Sequence, residues 1–190
     1  MKKKTKLMVG LLCCMVILAG CTIYEELIEP DDCCVWLDEV YLTEQEAIDT
    51  IRGQLVRVGL FFDEVPQSQS YSVQVYSVPN GSTVQLVLVN EEMDLRIALV
   101  DHWYITWSER NSEEARLELT ENAKQQFEDE FKISVDFIFF NPIDELAFGS
   151  GEAFEEQEER RVASGIAVEE DLARQIQNFI EQLQEEGIVD

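Results

Sequence analysis

The chain has 190 residues, and its 39 Asp and Glu residues outnumber its 14 Lys and Arg residues, which gives a formal net charge of −25 at pH 7. This charge repels the phosphates of nucleic acids, so DNA and RNA are excluded as partners. Apolar residues make up 46% of the chain, enough for one domain with a hydrophobic core. The acid excess predicts a solvated, self-repelling surface. Calcium binding is the alternative, but the acidic residues lack the spacing of a calcium loop.

The N-terminus has the features of an export signal. Lys2, Lys3, Lys4 and Lys6 form a cationic segment, and an apolar run over residues 7–20 follows it. This run is shorter than the roughly 20 apolar residues that span a bilayer, so a cleaved signal peptide over residues 1–20 is favoured over a transmembrane helix.

Residues Leu18, Ala19, Gly20 and Cys21 resemble the lipobox of bacterial lipoproteins. The resemblance implies that a diacylglycerol is attached to the Cys21 thiol, that the chain is cut before Cys21, and that the new amino group is acylated, for example with palmitate. Two or three acyl chains hold a protein on a bilayer almost permanently. An ordinary secretory signal with a chance cysteine is the alternative. The resemblance covers about the first 21 residues and implies nothing about the mature fold.

The lipobox resemblance also implies a location in the cell envelope. Thr22 follows the anchor, whereas an Asp there commonly retains Gram-negative lipoproteins at the inner membrane. The outer membrane is therefore expected in a Gram-negative cell, and the outer face of the cytoplasmic membrane in a Gram-positive one. Cleavage removes four lysines and no acid, so 10 basic residues remain against 39 acidic ones and the mature charge is near −29.

Cys33 and Cys34 are the remaining thiols of the mature chain. Adjacent Cα atoms lie about 3.8 Å apart, which is below the usual 4.4–6.8 Å of a disulfide, so a bridge between them would be strained. We expect them to pack, to bridge locally or to link two copies of the chain. A redox or metal role is the alternative.

The mature chain divides into a tether and one domain. Residues 21–42 are acidic, carry Pro30 and show no sustained period, which predicts a tether, and residues 43–190 form the predicted domain. A helix begins after Thr43, because Thr43 and Glu46 have the spacing of a capping box, and Gly59 provides its stop.

The next segments predict an antiparallel meander of four strands. Their ranges are 71–78, 83–90, 94–109 and 114–119. Asn80-Gly81 suits the hairpin turn between the first two.

The C-terminal third predicts mostly helices. A helix begins at Thr120 and ends near Lys132, and a strand over 133–140 ends at Asn141-Pro142. A short helix over 152–163 and a last helix over 167–186 follow. The last helix carries one apolar stripe that predicts either a core face or a face for a partner or a second copy. The stripe consists of Val168, Leu172, Ile176, Phe179, Ile180 and Leu183.

These elements predict an α+β fold with an antiparallel sheet of about five strands and two or three helices packed on one face.

The sequence offers no pattern for catalysis. His102 is the only histidine, and its neighbour Asp101 would point to the opposite face of a strand, so no base and orienting acid are expected together. No nucleotide-binding or serine-hydrolase motif occurs. We therefore expect no catalytic residues, no metal site and no cofactor.

The segment 102–107, HWYITW, contains the candidate binding residues Trp103, Tyr104 and Trp107. In a strand Trp103 and Trp107 share a face, which predicts core packing under a helix. A solvent-facing row would instead form a binding surface for a sugar, a peptide or a protein.

Two functions remain open. The first is a noncatalytic envelope lipoprotein that is anchored through Cys21 and binds or scaffolds another envelope protein. The alternative is a lipid-anchored, carboxylate-based hydrolase. A deep pocket rich in acids would favour the hydrolase, and an exposed apolar patch would favour the binding module.

Overall fold

The structure is a computed structural model that describes residues 36–76, 82–104, 113–148 and 153–189. The predicted signal peptide, Cys21, Cys33 and Cys34 lie outside these ranges. The larger of two compact units comprises Glu39–Leu146 and Glu158–Asp190, and the smaller comprises Met1–Asp38 and Ala147–Gln157. All side-chain contacts reported below lie within the larger unit.

The described chain contains a six-stranded mixed sheet and three helices. In chain order the elements are β1 (Trp36–Tyr41), α1 (Glu44–Arg57), β2 (Asp63–Glu64), β3 (Ser72–Val75), β4 (Ser82–Asn90), β5 (Leu95–Tyr104), α2 (Glu113–Phe131), β6 (Phe137–Phe148) and α3 (Phe154–Glu185). The strand order is β1-β6-β5-β4, and both β2 and β3 pair with the far side of β4. The predicted α+β class is confirmed, and β1 occupies residues assigned from the sequence to the tether.

The prediction of a wholly antiparallel sheet is wrong. Strands β2, β3 and β5 are antiparallel to β4, but β6 is parallel to β5. The segment 114–119, predicted as the fourth strand, belongs to α2 instead. Its short alternation was misleading, because Leu119 continues the four-residue spacing of Ala123 and Phe127 and all three are buried. A helix between β5 and β6 supplies the crossover that parallel strands need.

Helices pack on both faces of the sheet, so the prediction that they share one face is also wrong. Ile97 and Leu99 of β5 belong to a core cluster with residues of α1 and α3. Their neighbours Ala98 and Val100 belong to a second cluster with residues of α2. Because side chains alternate along a strand, these clusters lie on opposite faces. The long apolar run of β5 therefore reflects burial on two sides.

Strand β6 continues through Pro142 to Phe148, although the sequence predicts that it stops at Asn141-Pro142. Val100 pairs with Phe140 and Trp103 pairs with Pro142, so β5 has one extra residue at this point. His102, within that extra stretch, has a φ of 55°. Proline is tolerated in a sheet at such a bulge. The bulge also places Val100 and Trp103 in the same core cluster, which regular alternation would prevent.

Helix α1 begins at the predicted capping box. The Glu46 N–H donates to Thr43 Oγ1 at 3.3 Å, and the Thr43 N–H donates to Glu46 Oε2 at 2.9 Å. Gly59 has a φ of +82° and follows the end of the helix, which confirms its predicted role as the stop.

Helix α3 is one continuous helix where the sequence predicts two. All six residues of its predicted apolar stripe are buried. Five of them, from Leu172 to Leu183, belong to the core cluster shared with α1. The core interpretation of this stripe is confirmed.

We expect Phe179→Ala to lower the free energy of unfolding by about 3–5 kcal/mol, as for other buried phenylalanines. Phe179 is buried, and its ring centroid lies 4.7 Å from that of Phe137 and 5.7 Å from that of Phe139. Phe61→Ala is the matched control, because Phe61 is 68% exposed and its loss should change stability by less than about 0.5 kcal/mol. Urea unfolding of both variants measures the difference. Similar losses would show that Phe179 is not a core residue.

The capping box should also show in the pH dependence of stability. The Thr43 hydroxyl and backbone N–H hold the pKa of Glu46 below its usual value of 4.5. Folding then favours the charged carboxylate, so its stabilising effect is present above pH 4.5 and is lost as the pH falls through the folded-state pKa. We expect the stability difference between the native protein and Glu46→Gln, measured by thermal unfolding, to shrink as the pH falls below 4.5. A difference that is constant from about pH 7 to pH 3 would contradict this role of the charge.

Candidate ligand-binding site

Of the candidate binding residues from the sequence, Trp103 is the one whose side chain the structure describes. Trp103 is only 2% exposed. Its ring meets that of Phe140 edge to face at 5.0 Å, and the Arg116 guanidinium carbon lies 5.9 Å from its centroid. Trp103 is therefore a core residue, and the solvent-facing interpretation is wrong for it. Tyr104 is the last residue of β5, and Trp107 lies outside the described residues, as does Cys21.

His102 and Asp101 come together, contrary to the sequence prediction. His102 Nδ1 lies 3.4 Å from Asp101 Oδ2, and the Tyr41 ring meets the imidazole at 5.2 Å. The bulge in β5 explains the error, because a residue with φ of 55° does not follow strand alternation. Both side chains are about half exposed, and 3.4 Å is long for a hydrogen bond. Within the described ranges no group of three or more His, Cys, Asp or Glu could hold a metal ion.

A cluster of polar groups lies where α3 passes β6, and its members Asp171 and Gln175 are buried. The Gln175 amide oxygen accepts from the Phe140 N–H at 2.8 Å, and its nitrogen donates to the Phe140 carbonyl at 3.0 Å. The same nitrogen donates to Asp171 Oδ2 at 2.8 Å. Asp171 also accepts from Arg116 at 3.3 Å and from Arg174. We call these five residues the β6 junction.

The β6 junction has a structural role. The Phe140 N–H and C=O bond to Gln175, and buried backbone groups require such partners. Gln175 supplies both bonds, as a neighbouring strand would. Arg116 lies over the Phe140 ring, 5.3 Å from its centroid, so the junction also holds α2. These contacts engage both Asp171 oxygens and both polar atoms of the Gln175 amide.

We expect Gln175→Leu to lower the free energy of unfolding by about 2–4 kcal/mol, because two buried backbone groups lose their partners. Gln177→Leu is the control. It makes the same change on the same helix, but Gln177 is exposed and bonds only Glu181. Denaturant midpoints of the two variants give the comparison. Equal midpoints would show that the Gln175 amide does not satisfy this strand edge.

The far edge of the sheet is interrupted. Strands β2 and β3 both pair with the same side of β4, at Leu88–Val89 and at Ser82–Gln85 respectively. Between them the chain leaves the edge over residues 65–71 through a short 3-10 turn, Gln67–Gln69. Two backbone bonds tie down this segment: the Val65 N–H donates to the Val87 carbonyl, and the Leu86 N–H donates to the Tyr71 carbonyl, both at 2.9 Å.

This interruption creates a pocket of about 410 Å³ beside the sheet. We call it the edge pocket. The residues that matter for its chemistry are Asp63, Tyr71, Leu86, Val89, Glu91 and Ile133. A smaller pocket of about 290 Å³, lined by Ile48 and Val87, adjoins the same segment.

The edge pocket has an apolar base because of its position in the sheet. Leu86 belongs to the core cluster under α2, and Tyr71, Val89 and Ile133 pack against that cluster while remaining partly exposed. The Tyr71 ring is held edge to face against Phe131 at 5.2 Å. The apolar surface of the pocket is therefore supported by the core and fixed in position.

The rim of the edge pocket carries charge. Asp63 is the partner of Val89 and Val89 is the partner of Arg96, so these three side chains form one row across β2, β4 and β5. Glu91 follows Val89 by two residues.

The sequence contains one signal for the region of the edge pocket. Pro66 and the polar residues that follow it to position 70 separate Val65 from Tyr71. Such a stretch predicts a loop, but it does not predict a pocket.

Comparison with protein-family models, with curated proteins and with solved structures finds no match to this chain. In the ranges that the structure describes, no helix has the length and apolar character needed to cross a membrane.

Proposed function

We propose that this protein is a noncatalytic lipoprotein of the cell envelope that is anchored through Cys21 and binds a ligand or partner protein in the edge pocket. The observation that carries the proposal is the edge pocket itself, with its fixed apolar base and charged rim. Specific binding sites typically combine an apolar concave surface of this size with a few polar groups.

The anchor and the pocket are compatible with one another. Residues 22–35 separate Cys21 from β1, and fourteen residues reach at most about 50 Å when fully extended. A domain on such a tether stays close to the bilayer and can still meet partners in the envelope. With this anchor, the expected location is the outer membrane of a Gram-negative cell or the outer face of a Gram-positive cytoplasmic membrane.

The alternative, a carboxylate-based hydrolase, receives less support from the pocket. Asp63 and Glu91 are the carboxylates that such an enzyme would use there. Both are exposed at the rim, whereas the general acid of a glycosidase works in an apolar environment that keeps it protonated. A binding role therefore fits the rim better than acid catalysis.

Metabolic labelling with a fatty acid tests the anchor. We expect label on the native chain and none on Cys21→Ser, which should accumulate as an uncleaved precursor because the acceptor thiol is missing. The labelled chain should remain with the membranes through high-salt washing, since acyl burial does not depend on charge. Label retained on Cys21→Ser would refute Cys21 as the attachment site.

Site-specific photocrosslinking, in the cells used for the fatty-acid labelling, tests whether the edge pocket binds a ligand or partner. A crosslinking residue at Gln69, on the exposed rim, should form a discrete adduct with an envelope protein or small ligand. The same residue at Glu121, on the exposed surface of α2, is the control. Adducts that are equal at both positions, or absent from Gln69, would contradict binding at the edge pocket.

A further inference from the structure

We infer that the edge pocket is selective for an aliphatic ammonium group, the chemistry shared by a lysine side chain and a free alkylamine. This inference rests on the proposed binding function and names the chemical class of its ligand. It depends on two features of the pocket, an unpaired negative rim and an apolar base.

The negative charge of the rim is not neutralised internally. The Asp63 and Glu91 carboxylates make no hydrogen bond or ion pair with the part of the chain that the structure describes, and both are exposed. Arg96 is the cation of the pocket, and its guanidinium already donates to Asp94 Oδ1 at 2.6 Å. Glu64 is likewise paired with Arg52. The two available charges are therefore both negative, and both line the pocket together with Val89.

The apolar base determines which cation fits. Val89 is paired with Asp63 across the strands and precedes Glu91 by two residues, and all three line the pocket. Leu86, Tyr71 and Ile133 extend the apolar surface from there. A ligand that places methylene groups on this base can keep its ammonium group at the rim, as long basic side chains do on protein surfaces. The Tyr71 ring provides a further favourable surface for a cation.

Edge protection is the competing explanation for the acidic rim. Charged side chains on a short edge strand discourage pairing with other chains, and β2 is a two-residue edge strand. That explanation requires only charge at the edge. It predicts no preference for an aliphatic stem and no saturable site.

The test titrates the full-length protein, in an uncharged detergent near pH 7, with four small probes and follows binding by calorimetry or NMR. Pentylamine carries both the charge and the stem, pentanol lacks the charge, methylamine lacks the stem, and pentanoate reverses the charge. We expect pentylamine to saturate one site and each of the other three to bind at least about tenfold more weakly.

The matched variants assign the site. Asp63→Asn with Glu91→Gln should weaken pentylamine binding about tenfold, the effect of two partly exposed ion pairs. Glu169→Gln with Glu170→Gln removes the same charge from the exposed surface of α3, beside Asp171 of the β6 junction, and should change affinity less than about twofold, because charges more than a screening length away act weakly. All four residues are exposed, so both variants should unfold at the same temperature as the native protein.

Pentanoate or pentanol binding as tightly as pentylamine would overturn the ammonium assignment, and so would equal effects of the two paired variants. If no probe binds while Gln69 still gives its specific adduct, the ligand class is wrong and the proposed binding function stands. If the adduct is also absent, the proposed function fails as well. Lysine blocked at both backbone ends identifies the source: tighter binding than pentylamine supports a protein side chain, and weaker binding supports a free amine.

Discussion

The pair of hydrogen bonds between Gln175 and the Phe140 backbone determines how the rest of the structure is arranged. It closes the edge of β6 at Phe140 with a side-chain amide, at the point where α3 crosses. Because Asp171 bonds both Gln175 and Arg116, the same crossing fixes α2 to α3. A buried amide in this position is costly to displace, since its loss leaves a donor and an acceptor without partners.

The position of α3 determines which surfaces remain for function. Its C-terminal half completes the core with α1, and its middle reaches the β6 edge. Arg116 then covers Trp103 and Phe140, so both of these aromatic side chains are used for packing. At the far edge of the sheet the short strands β2 and β3 share one side of β4, and a pocket remains beside the turn between them.

Residue patterns in the sequence identified the longer elements, and they failed where the pattern was short or the strand was irregular. The α1 capping box, the β4 and β5 strands and the α3 stripe follow directly from residue spacing. Alternation over 114–119 was too short to compete with the helical spacing that Leu119 shares with Phe127. The end of β6 at Pro142 and the orientation of His102 were both predicted wrongly for one reason. The bulge in β5 lets β6 continue past Pro142 and turns His102 toward Asp101. A bulge depends on the partner strand, which one strand's sequence does not reveal. The edge pocket could not be predicted, since it arises from the joint pairing of β2 and β3 with β4.

The net negative charge of the chain limits how far charge alone can make the edge pocket selective for one cation. With a formal net charge of −25, the whole surface attracts cations, so a negative rim alone would not distinguish this pocket from the exposed faces of the helices. Such diffuse attraction raises the local concentration of cations and is weakened by salt. Selectivity must come from contacts that the helix surfaces lack, namely an apolar base fixed by the Phe131 contact of Tyr71 and two carboxylates that line the same pocket as Val89. A compact hydrated cation gains nothing from that base, whereas an alkylammonium group removes apolar surface from water on both partners.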